Sequence, residues 1–285
     1  MTKSNGTATR LGTFLDSHRP YWWPCGLLIL VFYASASAQI ACVNCTPDPT
    51  RGGGQPDLTD ERLHQDVVPQ STVLRQELVT SNALRAPEKA QRAVQKAARA
   101  IQDNQSSVAE RELSRALQLY PDYALALTLR ALMNMAQKPS DATADLDHAI
   151  RVDPSYGLPY AMLASIYNDV ERFDDALPLV LRAVQFLPSA WQVHFELART
   201  LFGRRQTEEA LKEVTGAIQR VASDQTASHE GRAALHFLRG RILIDQHEFA
   251  AAKLEFQMTV SEEPQGAFGQ KSNQILAKLE SVANP

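Results

Sequence analysis

The sequence predicts an all-α protein, an α-solenoid of about five helix–turn–helix units closed by a C-terminal capping helix. Apolar helical segments end in proline at residues 121, 154 and 188, so the spacings are 33 and 34 residues. Small residues precede these prolines at matching offsets, and another helical pattern precedes each segment. A repeat of this length is typical of stacked helix pairs, which bury their apolar faces only against neighbouring pairs.

Composition narrows the class of protein further. The 285 residues include 29 Lys and Arg against 32 Asp and Glu, which gives a net charge of −3. That balance lacks the basic excess of a nucleic-acid-binding protein. With three cysteines the chain is not a disulfide scaffold. Its 44% apolar content is that of an ordinary folded protein.

Residues 1–38 have the layout of a secretory signal peptide. A mildly basic start precedes an apolar run over residues 25–34 and the small residues Ala36-Ser37-Ala38, which form an A-x-A cleavage site. The alternative is an uncleaved membrane anchor over residues 21–41. Both interpretations place the rest of the chain outside the cytoplasm, so we expect a periplasmic protein or one anchored to the membrane with its array outside the cytoplasm.

Residues 39–70 are expected to form a disordered linker, because they are rich in proline and contain the run Gly52–Gly54. Cys42 and Cys45 lack the context of a redox, zinc or haem motif, so we expect a local disulfide or exposed thiols, with lipidation of Cys42 as an alternative. Helical spacing of leucines predicts a lead-in helix over residues 71–86.

The repeat array is expected over residues 88–265, and a capping helix with a short tail over residues 266–285. The polar face of the capping helix includes Lys271. About eight extra residues, Ser223 to Glu230, separate the last two units. We expect them to lengthen the loop or the preceding helix.

The clearest unit, residues 157–190, carries a recognisable pattern of packing residues. Its members are Tyr160, Leu163, Ala164, Tyr167, Ala176, Val180, Ala183 and Pro188. The pattern resembles that of the tetratricopeptide repeat, W-x2-L-G-x2-Y followed by A-x3-F, Ala and Pro. The resemblance implies a right-handed solenoid with a concave groove, and a role in binding other proteins.

No enzyme signature accompanies this pattern. The histidines are scattered, and the sequence contains neither H-E-x-x-H nor G-x-S-x-G. We therefore expect no catalytic residue, no metal site and no cofactor. His194 and His236 occupy the large aromatic position of their units, where a packing role is expected.

The resemblance also assigns positions to the groove. It implies these candidate protein-binding residues: Met162, Asn168, Phe195, Arg199, Phe202, Phe237 and Arg241. The apolar members suit an amphipathic helix or extended peptide, and the two arginines could hold a carboxylate. The alternatives are that Arg199 pairs with Glu196 on its own helix, and that the phenylalanines pack against the next unit or the capping helix.

The expected function is that of a non-catalytic protein-binding scaffold or assembly factor in the cell envelope. Its partner would be a protein bound as a peptide or helix in the groove, with no nucleic acid, and with membrane contact only through an uncleaved N-terminal segment. One alternative is an accessory subunit of an envelope polysaccharide synthesis or export system, or of a pilus or secretion system. Another is a self-assembling structural solenoid.

Overall fold

The structure is a computed structural model that describes residues 81–224 and 227–283. The expected signal segment, the linker with its two cysteines and residues 71–80 of the expected lead-in helix lie outside the described residues. The described ranges contain twelve α-helices and no strand. In chain order they are α1 (Ser81–Arg85), α2 (Glu88–Gln102), α3 (Ser106–Leu119), α4 (Ala124–Asn134), α5 (Pro139–Val152), α6 (Gly157–Asp169), α7 (Phe173–Phe186), α8 (Trp191–Gly203), α9 (Thr207–Ala222), α10 (His229–Asp245), α11 (Phe249–Glu262) and α12 (Ala267–Ala283).

Helices α2 to α11 form five antiparallel pairs, and each pair corresponds to one sequence repeat. We call the first helix of each pair the A helix and the second the B helix. Each A helix packs against its own B helix and also contacts the A helices of adjacent units. Each of the first four B helices packs in addition against the A helix that follows it. Helix α12 covers α10 and α11 at the end. The predicted all-α solenoid is thereby confirmed.

Small residues mark the point where the two helices of a unit cross. Ala164 and Ala176 in the third unit, and Ala198 and Ala210 in the fourth, are fully buried. In the fifth unit Gly240 fills the corresponding position, where an added Cβ atom would lie 2.9 Å from the ring of Phe256. The helices of a unit pack closely because these positions carry almost no side chain.

Four of the five A-to-B turns use a residue in the left-handed conformation. Asn104, Glu171, Arg205 and His247 have φ angles between 55° and 64°. The following amide closes the end of the A helix, as where the Arg172 N–H donates to the Tyr167 carbonyl at 2.9 Å. In the second unit the connection over residues 135–138, before Pro139, has four residues where the other units have three, and it contains no such residue.

The extra residues between the last two units lengthen mainly the helix that follows them. Helix α10 has 17 residues, whereas the equivalent α6 and α8 have 13 each. The Ser228 hydroxyl caps α10 by accepting a hydrogen bond from the Gly231 amide at 3.1 Å. The preceding α9 gains only two residues over α7. The expected lengthening of the preceding helix and of the connection is also present, at two residues each, whereas the N-terminal extension of α10 was not expected.

Enlarging a residue at a helix crossing should destabilise the array. We expect Ala198→Leu to lower the free energy of unfolding by about 1–3 kcal/mol, because the fully buried Ala198 has no space for three more carbons. Urea denaturation followed by circular dichroism measures the change. The matched control is Ala250→Leu at an exposed position of α11, expected to change stability by less than about 0.5 kcal/mol. Equal effects of the two variants would contradict the packing argument.

Glycine at a left-handed turn position should stabilise the protein. Glu171 is exposed and has a φ of 59°, a conformation that costs about 1 kcal/mol for a residue with a Cβ atom. We expect Glu171→Gly to raise the urea midpoint. Glu110→Gly, at an exposed position within α3, should lower it, because glycine costs about 1 kcal/mol inside a helix. A lower midpoint for both variants would refute the turn assignment.

Candidate protein-binding face

The seven predicted site residues lie on three consecutive A helices. They are Met162 and Asn168 on α6, Phe195, Arg199 and Phe202 on α8, and Phe237 and Arg241 on α10. Because the A helices contact one another in series, they form the inner layer of the solenoid. We call the inward side of α4, α6, α8 and α10 the concave face. Of the seven residues, only Phe202 and Arg241 are partly exposed.

The apolar members of the predicted site are mostly part of the core. Met162 and Phe195 expose no more than 1% of their surface and belong to the two core clusters of the array. The Phe237 ring packs against the rings of Phe256 and Phe268, with centroids 5.8 Å and 5.3 Å apart. Phe256 lies on α11 and Phe268 on the capping helix, so Phe237 packs within its own unit and against the cap.

Arg199 and Asn168 are also buried, and they link α8 to α6 through a polar network. The Arg199 guanidinium lies 2.7 Å from Asp169 Oδ1 and 2.9 Å from Glu196 Oε2. Asn168 Nδ2 donates to Glu196 Oε2 at 2.9 Å, and the Thr200 hydroxyl donates to Asn168 Oδ1 at 3.0 Å. The pairing of Arg199 with Glu196 is therefore present, and Asp169 extends it across two units.

This network carries one positive and two negative charges. Burial raises the pKa of the Asp169 carboxyl; the Arg199 charge offsets part of that rise, and the negative charge of Glu196 adds to it. Buried carboxylates are stable only when charged and polar neighbours compensate for lost water. Arg199 therefore compensates the two carboxylates and links α8 to α6.

A second group lies at the C-terminal end of the concave face. The Arg241 guanidinium lies 5.4 Å from the centroid of the Phe202 ring, which places the charge over an aromatic face. Lys271 of α12 lies close enough to Arg241 for the positive charge of Arg241 to act on the Lys271 ammonium group. Burial, and then the Arg241 charge, lower the pKa of Lys271. We call Phe202, Arg241 and Lys271 the cationic end of the concave face.

Two histidines each link an A helix to the B helix of the same unit through a hydrogen bond with a glutamate. His194 Nδ1 lies 2.8 Å from Glu213 Oε2, and His236 Nδ1 lies 2.8 Å from Glu255 Oε2. Each glutamate follows its histidine by 19 residues, so the pairs occupy equivalent positions in successive units. Both histidines are buried, as their place in the aromatic position predicted.

The Glu255 carboxylate has a further partner in Arg239, which donates to its other oxygen. Burial alone would raise the pKa of Glu255, but the hydrogen bonds from His236 and Arg239 outweigh it, and the net shift is downward. The ionised carboxylate is thus favoured in the folded state. The Glu255 carboxylate thereby links α11 to α10 in the fifth unit.

Sequence reasoning missed the partners that come from a different unit or from the cap. Asp169 lies 30 residues before Arg199, and only stacking of the units brings them together. Lys271 appeared to belong to the polar face of the capping helix, because nothing in the sequence gives the angle at which α12 meets α10. The 19-residue spacing of the two histidine–glutamate pairs was a usable signal.

The described ranges contain neither a candidate metal cluster nor a candidate membrane-spanning helix. Within residues 81–224 and 227–283, no group of three or more His, Cys, Asp or Glu side chains is placed to hold a metal ion. None of the helices in these ranges combines the length and apolar character needed to span a bilayer.

Comparison with solved structures defines the class of the fold. Similar structures include the APC/C heterotetramer Cut9–Hcn1 (TM-score 0.62, 17% identity), the type IV pilus biogenesis factor PilW (0.53, 19%) and MamA from Desulfovibrio magneticus RS-1 (0.51, 14%). The match with Cut9–Hcn1 covers 79% of this chain and 44% of that chain. The match with PilW covers 71% and 89%, and the match with MamA covers 64% and 99%, in the same order. No protein-family model and no curated relative matches the sequence.

These proteins and this chain share a helical-repeat solenoid. The packing residues of the third unit resemble those of the tetratricopeptide repeat, and the shared fold agrees with that resemblance. At these identities the likeness establishes the fold and leaves the activity to be argued from the residues.

The Glu255 carboxylate should make stability depend on pH. Because its folded-state pKa is lowered, its contribution is present above the pKa of the unfolded carboxyl and is lost as the pH falls through the folded value. We expect Glu255→Gln to lower the free energy of unfolding by about 2 kcal/mol at pH 7, and to cost much less at pH 3.

Urea titrations at several pH values measure this difference. Glu280→Gln is the matched control, because Glu280 pairs with Lys253 at an exposed position and should contribute less than about 1 kcal/mol. A cost for Glu255→Gln that is unchanged between pH 7 and pH 3 would contradict the assigned role of the ionised carboxylate.

Proposed function

We propose that this protein is a non-catalytic scaffold of the cell envelope that binds a protein partner along its concave face. The observation that carries the proposal is the cationic end. There Phe202, Arg241 and Lys271 are all partly exposed, and an aromatic ring lies beside two positive charges. Such a group favours a peptide with an apolar side chain next to a carboxylate.

The geometry of the cationic end supports a carboxylate ligand specifically. The planar Arg241 guanidinium can form two parallel hydrogen bonds with a carboxylate, and the Phe202 ring supplies apolar area beside it. A peptide there would run along α8 and α10, toward the capping helix.

Location in the envelope is supported by the N-terminal sequence. Its basic start, apolar run and A-x-A site direct export, whether residues 1–38 are removed or residues 21–41 remain as an anchor. Under either form the array works outside the cytoplasm. The intact mass of the purified native protein distinguishes a chain starting at Gln39 from the full-length chain.

Capture from envelope extract tests the binding site. The full chain, Phe202→Glu/Arg241→Glu and Leu181→Glu/Arg182→Glu serve as baits. The third bait makes the same substitutions at exposed positions of α7, a B helix. We expect a protein held by the full chain and the α7 variant, and lost by the concave-face variant.

Calorimetry with a peptide from the captured protein then measures the affinity. We expect the concave-face variant to bind at least about tenfold more weakly, because one charge-assisted contact is lost. Helical circular dichroism must match for all baits. Equal binding by all three would move the interface away from the concave face.

A further inference from the structure

The first A helix of the array, α2, presents a row of basic side chains to solvent. One side of α2 buries six Ala and Val residues. The other side carries four exposed basic residues within about 80° of one another around the helix axis, in a row about 15 Å long. We call Lys89, Arg92, Lys96 and Arg99 the basic row.

Most of the charge of the basic row is not neutralised by the residues that the structure describes. Arg92 lies 2.5 Å from Glu88, in an exposed pair one helical turn apart. Lys89, Lys96 and Arg99 form no ion pair with any residue of the described ranges. The row therefore presents several uncompensated positive charges side by side.

Stability of the helix does not account for this arrangement. Other exposed basic residues of the array have acidic partners, as Arg172 has Asp175 and Lys253 has Glu280. A face that only keeps a protein in solution mixes charges of both signs. Lys89 also lies in the first turn of α2, where the helix dipole disfavours a positive charge. The basic row is thus better suited to binding an anionic partner than to stabilising its own helix.

The charges of the array are distributed unevenly along the chain. Residues 81–102 carry five basic residues and one acidic residue, a net charge of +4, although the whole chain has a net charge of −3. Residues 122–176 carry nine acidic and four basic residues, a net charge of −5. An extended anionic surface therefore attracts the first unit and repels the second and third, which orients the array with its N-terminal end toward that surface.

An exposed apolar side chain next to the basic row favours a lipid bilayer as the anionic surface. Leu84 lies five residues before Lys89 and is 70% exposed. The headgroup region of a bilayer accommodates leucine beside basic residues, whereas a dissolved acidic polymer offers no apolar phase. The part of the sequence that contains the expected signal or anchor segment also joins the array at this end, through α1.

We propose that the basic row and Leu84 form a docking surface for an anionic lipid bilayer. Each basic residue close to such a surface strengthens binding about fivefold, and salt weakens the attraction by screening. The first unit then faces the bilayer, and the concave face stays available to a protein partner. The proposal uses the envelope location of the proposed function but does not depend on the concave-face site.

Amine labelling of the full chain tests the docking surface without any protein partner. Sulfo-N-hydroxysuccinimide acetate is added with vesicles of phosphatidylcholine, or of equal parts of phosphatidylcholine and phosphatidylglycerol, and mass spectrometry follows acetylation of each lysine. We expect phosphatidylglycerol to slow the labelling of Lys89 and Lys96 about fivefold or more, and to leave the exposed Lys212 of α9 unchanged. Equal labelling with both kinds of vesicle would overturn the proposal.

Charge-reversal variants show whether the protection comes from the basic row. Arg92→Glu/Arg99→Glu removes two of its charges and leaves the two reporter lysines in place. Arg151→Glu/Arg182→Glu changes the net charge equally at exposed positions of α5 and α7. We expect the first variant to lose the protection and the second to keep it, with matching circular dichroism. Protection that persists in the first variant would overturn the proposal.

A further comparison separates a bilayer from a soluble acidic polymer. We expect Leu84→Ser to raise the lipid concentration needed for half-maximal protection about threefold or more. Polyglutamate at the same charge concentration should protect the lysines less than the vesicles do. An unchanged lipid concentration, or equal protection by polyglutamate, would assign the row to an acidic polypeptide and overturn the proposal. Because no concave-face partner is present, failure here leaves the outcome of the capture experiment open.

Discussion

The whole array depends on close approach of the two helices in each unit. A single helix pair of this size cannot bury its apolar stripe alone, so every unit relies on the next one for its core. Close approach requires alanine or glycine where the helices cross, as at Ala164 and Ala198, and it aligns the A helices into a continuous inner layer. The position of every residue on the concave face follows from that layer.

Turn geometry sets the angle at which each pair closes. A left-handed residue after the A helix lets the next amide cap it, and then the B helix starts at once. The second unit lacks this residue and starts its B helix with Pro139, whose fixed φ suits a first helical position. The fifth unit departs in another way, because the serine cap extends α10 by about one turn. These departures occur at turns, where they leave the crossing points unchanged.

The charged residues of the inner layer form two groups, one inside the array and one at its C-terminal end. Arg199, Asp169 and Glu196 neutralise one another inside the array and tie two units together. The histidine–glutamate pairs do the same between the helices of a unit. At the capping helix, Arg241 and Lys271 bring two positive charges together beside the Phe202 ring. The interior charges therefore stabilise the scaffold, and the charges at its end are the ones on which the proposed binding site rests.

The sequence by itself determined the repeat length, the helix pairs, the small residues at their crossings and the burial of His194 and His236. These features are local or recur at a fixed spacing, so periodicity reveals them. Only the tertiary structure decided which groove residues stay accessible. Met162, Phe195 and Phe237 have the residue types of a peptide groove, and the structure places Met162 and Phe195 in the core clusters and Phe237 against Phe268 of the cap. Asp169 and Lys271 joined the site through contacts between distant segments, which depend on how the units stack.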